Sequence, residues 1–260
     1  SQEAEELNKK INPLIFTLLS EKGKAAYFPK KGIVAQGADA AGKNINATIG
    51  IATKDDGTPM HLSSIASRMD ADPVDIFNYP PPHGKPALRT LWRESLYRKN
   101  PSLEAPVSNP VVVQGITHGL SLVADLLVDD GDRLIVPDKM WENYEFIFEQ
   151  DHGASIEKFN LFNDGLDVES FREVLQRGWG KKIVMLNFPN NPTGYTPTYV
   201  EVKNMVNAIR EAAETGNKII VLVDDAYFGF FYEDCFRESL FSLLADVHEN
   251  VLAVKIDVAT

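Results

Sequence analysis

From about residue 110 onward, the chain alternates short apolar runs, rich in valine and isoleucine, with longer stretches whose apolar residues have helical spacing. Nearly continuous apolar strands separated by helices are typical of a mainly parallel sheet with helices on both faces. We therefore predict an α/β fold of this layered kind. The apolar runs are Val111 to Val113, Arg133 to Val136, Ile156 to Leu161, Lys182 to Leu186, Ile219 to Val223 and Val251 to Ile256. The helical stretches are Thr117 to Leu127, Trp141 to Glu149, Val168 to Gln176, Tyr199 to Ala213 and Leu240 to Val247.

The first sixty residues do not follow this alternation. Glycine, alanine, asparagine and lysine cluster from Gly32 to Asn46, and Asp55 to Pro59 has the composition of a turn. We predict that residues 1–60 form an N-terminal arm and part of a smaller domain, and that residues 61–260 form the large domain. Between the arm and the predicted sheet, Tyr79 to Gly84 contains three successive prolines. These predict an extended connector, because each proline pushes the preceding residue out of the helical region.

Composition and charge exclude several classes of partner. The formal net charge is -11, and the acidic residues are spread along the chain, so most of the surface would repel a nucleic acid. Cys235 is the single cysteine, which excludes an internal disulfide framework. No apolar stretch reaches the roughly eighteen residues that a membrane helix needs. The segment Ser1 to Lys10 is polar and lacks the apolar core of a signal peptide. Together these features predict a cytoplasmic protein that binds neither nucleic acid nor membrane.

Polar residues follow two of the apolar runs. The segment Asn187 to Gly194 reads NFPNNPTG and follows the run that ends at Leu186, and Asp224 follows the run Ile219 to Val223. The carboxyl ends of parallel strands form one edge of a sheet, which is where open α/β sheets bind their ligands. A carboxylate at such a buried position is costly unless it meets a cation. Asp224 therefore predicts a ligand with a positively charged group.

The segment Gln114 to Leu120 offers a possible site for an anion. A predicted strand ends at its glycine, Gly115, and a helix begins directly after it. Free amide groups and the positive end of the helix dipole would then meet a negatively charged group, and Thr117 could add a hydroxyl. Taken alone, the segment is more typical of an ordinary strand-to-helix turn in which Thr117 caps the helix.

Taken in order, these segments resemble the cofactor pocket of the class I and II aminotransferases, enzymes that use pyridoxal 5'-phosphate. The resemblance covers roughly residues 40 to 260 and includes Pro137 to Tyr144, which resembles the segment whose aromatic residue stacks on the cofactor ring. It implies that Asp224 binds the protonated pyridine nitrogen and that Asn191 and Tyr227 donate to the phenolic oxygen. It implies further that Trp141 lies on the ring face, and that the phosphate is bound by Gly115, Ile116 and Thr117.

Two shorter segments resemble other family motifs. Tyr79, together with Gly84, Leu88 and Arg89, resembles a motif whose tyrosine reaches the phosphate of the neighbouring subunit, which implies a homodimer with shared active sites. The loop ahead of the Asp55 turn resembles the aspartate aminotransferase loop that lies over the substrate. This second resemblance implies that Ile49 and Gly50 contact the substrate.

The lysine that forms the Schiff base in this family would directly follow Thr260. Lys255 is the nearest lysine of the sequence, but it lies within an apolar run and before the matching position. The resemblance implies a transaminase that moves an amino group between an amino acid, with aspartate or another dicarboxylic acid favoured, and a 2-oxo acid. Asp224 and Tyr227 would be its catalytic residues within the present chain.

Three alternatives stay open at this point. A pyridoxal-phosphate-dependent lyase would use the same pocket, and a non-catalytic protein could keep the fold without the chemistry. A nucleotide hydrolase is suggested by Gly37 to Lys43, which has the spacing of a P-loop, and by Ile219 to Asp225 as an acidic strand; Asn44 replaces the hydroxyl residue that should hold magnesium. We predict no metal site, because the histidines show no ligand spacing: His61, His83, His118, His152 and His248.

Overall fold

The structure, a computed structural model, describes residues 2–25, 33–46, 48 and 52–258. The chain divides into two units, residues 1–80 and residues 81–260. No helix within the described ranges is long and apolar enough to cross a membrane.

Short helices make up most of the described part of the first unit. Thr53 and Pro59 form an antiparallel bridge, and the turn that it encloses is closed by a bond of 2.9 Å from the Gly57 amide to the Lys54 carbonyl, as the turn composition predicts. The first four residues of the P-loop-like segment, Gly37 to Ala40, are helical rather than looped, unlike a P-loop. The helices are α1 (Gln2–Asn8), α2 (Pro13–Leu18), α3 (Glu21–Ala25), α4 (Ile33–Ala40), α5 (Ser63–Ala66) and α6 (Pro73–Phe77).

The second unit contains a five-stranded sheet in which every neighbouring pair is parallel. The strands are β1 (Arg133–Pro137), β2 (Ser155–Phe159), β3 (Lys181–Asn187), β4 (Lys218–Asp224) and β5 (Val251–Ile256). Their order across the sheet is β2-β1-β3-β4-β5, so the connections reverse direction between β1 and β3. Such a reversal opens a crevice at the carboxyl ends of the strands. The helices of this unit are α7 (Pro86–Lys99), α8 (Gly115–Leu127), a π-helix (Glu145–Gln150), α9 (Val168–Gln176), α10 (Tyr199–Glu214) and α11 (Phe241–Leu244).

Helices cover both faces of this sheet, as the apolar runs predict. Successive residues of a strand point to opposite faces. In β3, Val184 and Leu186 belong to the core that contains the buried residues of α9, α10 and α11, whereas Ile183 and Met185 belong to the core beneath α8 and the π-helix. A strand that is buried on both faces must be apolar at nearly every position, which explains the unbroken runs of the sequence.

The predicted strand at Val111 to Val113 is wrong. These residues lie in irregular structure, and the Val111 and Val112 side chains are exposed. The Val112 amide donates to the His83 carbonyl at 3.1 Å, and Arg89 Nε donates to the Pro110 carbonyl at 2.5 Å. The backbone groups of this segment are thus bonded outside the sheet. The valine run had the right composition for a strand, but strand formation needs a neighbouring strand as a partner.

Two predicted helices are shorter than their patterns suggest. The helix predicted over Trp141 to Glu149 begins only at Glu145 and is a π-helix, and the one predicted over Leu240 to Val247 is reduced to α11. By contrast, α9 has the predicted bounds, and α10 begins where predicted because a capping box fixes its start. In that box Glu201 Oε2 accepts from the Thr198 amide at 2.7 Å, and Thr198 Oγ1 accepts from the Glu201 amide at 3.3 Å.

Candidate active site

The ends of β3 and β4 place two polar residues side by side. Asn187 and Asp224, the last residues of these strands, are paired in the register of the sheet, and Asn187 Nδ2 donates to the Asp224 carbonyl oxygen at 2.9 Å. Asn187 Oδ1 in turn accepts from the Asn191 amide at 2.8 Å. One buried amide side chain therefore ties the NFPNNPTG segment to the end of β4, which brings Asn191 towards Asp224.

The Asp224 carboxylate is buried, with 2% of the residue exposed. Its Oδ2 accepts from the Tyr144 hydroxyl at 2.6 Å, and its Oδ1 accepts from the Ala226 amide at 3.1 Å. Burial raises the pKa of Asp224, while the bonds from Tyr144 and Ala226 and the charge of Lys255 act in the opposite direction. In the part of the chain that the structure describes, no cationic side chain forms an ion pair with this carboxylate. Asp224 thus meets neutral donors but no direct counter-charge.

Tyr144 supplies the shorter of the two bonds to Asp224. It is buried at the start of the π-helix, and its ring packs edge-on against Trp141, with centroids 5.6 Å apart and planes at 89°. Burial and the neighbouring Asp224 charge raise the pKa of Tyr144 well above its ordinary value. The phenol therefore keeps its proton and donates to the carboxylate. Tyr144 lies in the segment that contains Trp141, but the sequence pattern predicts no role for it.

A pocket of about 240 Å³ lies above these groups. Six of its lining residues are candidates from the sequence, and three more, Tyr144, Asn187 and Ala226, were not assigned a role there. The six are Ile116, Thr117, Trp141, Asn191, Asp224 and Tyr227. The pocket thus collects the predicted residues at the carboxyl edge of the sheet, where the strand order reverses between β1 and β3.

The first turn of α8 forms one wall of the pocket through Ile116 and Thr117. Gly115, the first helical residue, has a φ of +80°, which only glycine adopts readily, so the chain can turn sharply into the helix. The first amides of a helix have no partner within it, and together with the helix dipole they favour an anion. This geometry fits the predicted role of Gly115, Ile116 and Thr117 at a phosphate.

Asn191 and Tyr227 lie next to each other on another wall. Asn191 Nδ2 is 3.4 Å from the Tyr227 hydroxyl oxygen, and 41% of Tyr227 is exposed. The loop that carries Asn191 is held from within by the buried Asn190, whose Oδ1 accepts from the Thr193 hydroxyl at 2.7 Å and whose Nδ2 donates to the Lys139 carbonyl at 3.1 Å. Both side chains can therefore donate to one acceptor placed in the pocket.

Of the other candidates from the sequence, Gly115 is not among the residues that line the pocket, although it directly precedes Ile116. Tyr79 belongs to the first unit and is 92% exposed. Ile49 and Gly50 lie outside the described residues. Lys255, the nearest lysine to the position of the family's Schiff-base lysine, does not line the pocket; its Nζ forms ion pairs with Asp225 and Asp257.

The fold and the pocket define an α/β protein with a pocket at the carboxyl edge of a parallel sheet. The family model for the class I and II aminotransferases matches residues 43–255, and the chain belongs to this family. Members of the family depend on pyridoxal 5'-phosphate.

Among curated relatives, the chain is 28% identical over 188 residues to an aspartate aminotransferase of Pyrococcus horikoshii, which covers 72% of this chain and 46% of the relative. It is 30% identical over 159 residues to a probable aspartate/prephenate aminotransferase of Aquifex aeolicus, covering 60% of this chain and 38% of the relative. The chain thus spans about half the length of the curated relatives it matches or less.

Solved structures show the same fold. An aminotransferase from Anaerococcus prevotii superposes with a TM-score of 0.79 at 24% identity, over 92% of this chain and 61% of the other. A mutant of the aspartate aminotransferase from Thermus thermophilus superposes with a TM-score of 0.66 at 22% identity, over 91% of this chain and 59% of the other.

Proposed function

We propose that the protein is a pyridoxal-phosphate-dependent transaminase, and that the pocket above Asp224 binds the cofactor. The proposal rests on the burial and the hydrogen-bond partners of the Asp224 carboxylate. It lies buried at the end of β4 and lines the pocket, and among the described residues it receives hydrogen bonds from Tyr144 and Ala226 only. A buried anion without a cation partner is unfavourable, and a protonated pyridine ring in the pocket would supply that cation.

The residues present fit the cofactor. Asp224 matches the ring nitrogen in charge, and Asn191 and Tyr227 can both donate to a phenolic oxygen. Trp141 offers an aromatic wall, and the first turn of α8 offers amides for the phosphate. The donors and the charge therefore occur in the combination that a flat, cationic ring with an anionic tail requires.

When bound, pyridoxal phosphate supplies an electron sink for the carbanion that forms at the alpha carbon of the amino acid. In this proposal the Asp224 carboxylate keeps the proton on the pyridine nitrogen, and the Tyr144 hydroxyl holds that carboxylate in place. Asn191 and Tyr227 donate to the phenolic oxygen, and Trp141 limits the movement of the ring. Gly115, Ile116 and Thr117 bind the phosphate.

We further propose aspartate or another dicarboxylic amino acid as the donor and a 2-oxo acid as the acceptor. The names of the relatives support the substrate, since they include aspartate and aspartate/prephenate aminotransferases. Ile49 and Gly50 would contact the substrate.

The proposal also includes the assembly and the organisation of the chain. A cytoplasmic homodimer with shared active sites would place Tyr79 at the phosphate of the neighbouring subunit. The cofactor domain would lie within residues 61–260, with residues 1–60 forming an arm and part of a smaller domain.

The decisive experiment is an assay of the purified protein loaded with pyridoxal phosphate. With aspartate and 2-oxoglutarate we expect stoichiometric formation of oxaloacetate and glutamate. A lyase would instead release ammonia from the amino acid without needing 2-oxoglutarate. A non-catalytic protein would bind the cofactor and form neither product, and a protein that does not change the absorbance of added pyridoxal phosphate would contradict the proposal altogether.

A further inference from the structure

A buried ion pair directly follows the candidate site in the chain. Asp225, the residue after Asp224, is 1% exposed, and the Lys255 side chain in β5 is 8% exposed. Lys255 Nζ donates to Asp225 Oδ2 and lies 2.9 Å from Asp257 Oδ2. Ser239 Oγ donates to the same Asp225 oxygen at 2.6 Å. This cluster does not line the pocket, and the function proposed above gives it no role.

The Lys255 ammonium group contacts both ends of one turn. The Phe228 amide donates to the Asp225 carbonyl oxygen at 3.1 Å, which closes the turn Asp225–Phe228. Lys255 Nζ binds the carboxylate of the first residue and lies 5.4 Å from the ring centre of the last, within the range of a cation–π interaction. Between these ends are Ala226 and Tyr227, which both line the pocket. The lysine therefore fixes the two residues that flank the pocket-lining ones.

The position of the Tyr227 side chain depends on the turn that Lys255 fixes. This side chain is partly exposed, and its bond with Asn191 is long. A side chain with weak contacts of its own takes its direction from the backbone that carries it, and a functional group is positioned well only when its supporting residues are fixed. The Ala226 amide, which donates to Asp224, is carried by the same turn.

We propose that Lys255 is a positioning residue: it fixes the turn Asp225–Phe228 and so directs the Tyr227 hydroxyl towards the phenolic oxygen of the cofactor. The proposal rests on the proposed function. A purely structural role is the rival explanation, and it is not the stronger one, because replacing a buried ion pair by apolar side chains often leaves stability unchanged or improves it.

The test uses 4'-deoxypyridoxine 5'-phosphate, which keeps the ring, the phenol and the phosphate but lacks the aldehyde, so that its binding needs no Schiff-base lysine. Titration gives the dissociation constant, and the absorbance of the bound analogue reports the ionisation of its phenol. The variants are Lys255→Met, Tyr227→Phe and the double variant, which together form a double-mutant cycle. Lys182→Met is the matched control, because Lys182 is also a buried strand lysine and its Nζ donates to the Arg177 carbonyl at 2.7 Å.

We expect Lys255→Met and Tyr227→Phe each to weaken binding by about tenfold, the order that corresponds to one lost hydrogen bond to a charged group. Both should raise the pKa of the analogue's phenol, because its ionised form loses a donor. In the double variant the pKa of the phenol should equal that in Tyr227→Phe alone, since the lysine acts on the phenol through the tyrosine. Lys182→Met should bind as the unaltered protein does, and Lys255→Arg should restore part of the affinity.

Two outcomes overturn the role of Lys255 alone: an unchanged phenol pKa in Lys255→Met, or a phenol pKa that rises further in the double variant than in Tyr227→Phe. If Lys255→Met does not fold, as judged by circular dichroism, Asp225→Asn takes its place in the cycle, since it removes the carboxylate at the turn and keeps the lysine. Failure of the unaltered protein to bind the analogue overturns the proposed function together with this inference.

Discussion

The two edges of the sheet differ in how their charged side chains are paired. Near the amino ends of the strands, Glu157 lies 3.1 Å from Arg133 Nη1 and 3.3 Å from Arg177 Nη1, and Lys181 Nζ lies 3.1 Å from Asp129 and 2.5 Å from Asp132. At the carboxyl ends, Asp224 is buried, and in the described part of the chain its carboxylate receives hydrogen bonds only from neutral donors. The charged residues named at the amino edge are paired within the protein, whereas Asp224 at the carboxyl edge is a buried carboxylate with no ion-pair partner among the described residues.

The same contrast occurs between two consecutive residues. Asp225 is as deeply buried as Asp224 but pairs with Lys255. Burial alone therefore does not identify a functional carboxylate. The proposed role of Asp224 rests instead on the combination of burial, access to a pocket and the lack of an ion-pair partner, and within the described residues of this pocket Asp224 shows all three.

Removal of the unpaired carboxylate should have the largest effect. We expect Asp224→Ala to lower kcat/KM for transamination by about a hundredfold or more, the order found when a preorganised electrostatic group is removed from an active site. The protein should stay folded by circular dichroism, because the substitution removes a buried charge. The matched control is Asp132→Asn, which changes a paired carboxylate at the amino edge and should leave activity nearly unchanged. Full activity in Asp224→Ala would show that the carboxylate has no catalytic role.

Removal of the Tyr144 hydroxyl, which donates to Asp224, should have the second-largest effect. Tyr144→Phe removes the 2.6 Å bond to Asp224 and keeps the ring that packs on Trp141. We expect kcat/KM to fall by about tenfold to a hundredfold, in line with the loss of a hydrogen bond to a charged group. The pKa of Asp224 should rise further, because burial is then opposed by fewer donors, and the acidic limb of the pH–rate profile should move to higher pH.

If kcat/KM fell at every pH and the acidic limb of the pH–rate profile did not move, the proposed effect of Tyr144 on the pKa of Asp224 would be contradicted. Tyr199→Phe serves as the control for loss of a phenol, because Tyr199 lies half-exposed at the start of α10, outside the pocket. It should leave both the rate and the profile unchanged.

The sequence predicted the parts of the site that depend on local pattern. Asp224 was found because a buried strand of a parallel sheet reads as an unbroken apolar run, and the residue after such a run must lie at the carboxyl edge. Trp141, Asn191 and Tyr227 were found through the family resemblance. The structure brings all four to one pocket.

What the sequence did not show depends on contacts between distant segments. Tyr144 lies 80 positions from Asp224, and an aromatic residue near a helix start is ordinarily part of a core. The role of Asn187 depends on the register of β3 against β4, which composition does not fix. The valine run at Val111 to Val113 illustrates the same limit, since its composition is that of a strand but its backbone bonds lie outside the sheet.

The smallest effect should be a change in stability with pH, and it should distinguish Asp225 from its neighbour Asp224. Burial raises the pKa of Asp225 from 3.8 to about 6, although Lys255 and Ser239 oppose the rise. Between these pH values the folded protein holds a proton that the unfolded chain has lost, so stability should fall as the pH rises through this window. A shift of this size corresponds to about 2 to 3 kcal/mol in the free energy of unfolding.

Asp225→Asn removes this titration, so urea unfolding of the cofactor-free protein at pH 4.5, 5.5 and 6.5 should show a much weaker decline in stability than the unaltered protein. The decline should not vanish, because burial also raises the pKa of Asp224, which still titrates. An equal decline in both proteins would mean that the Lys255 pairing keeps Asp225 ionised throughout this range. The contrast between the two aspartates would then be even sharper, with the paired one behaving as a permanent charge and Asp224 alone responding to pH.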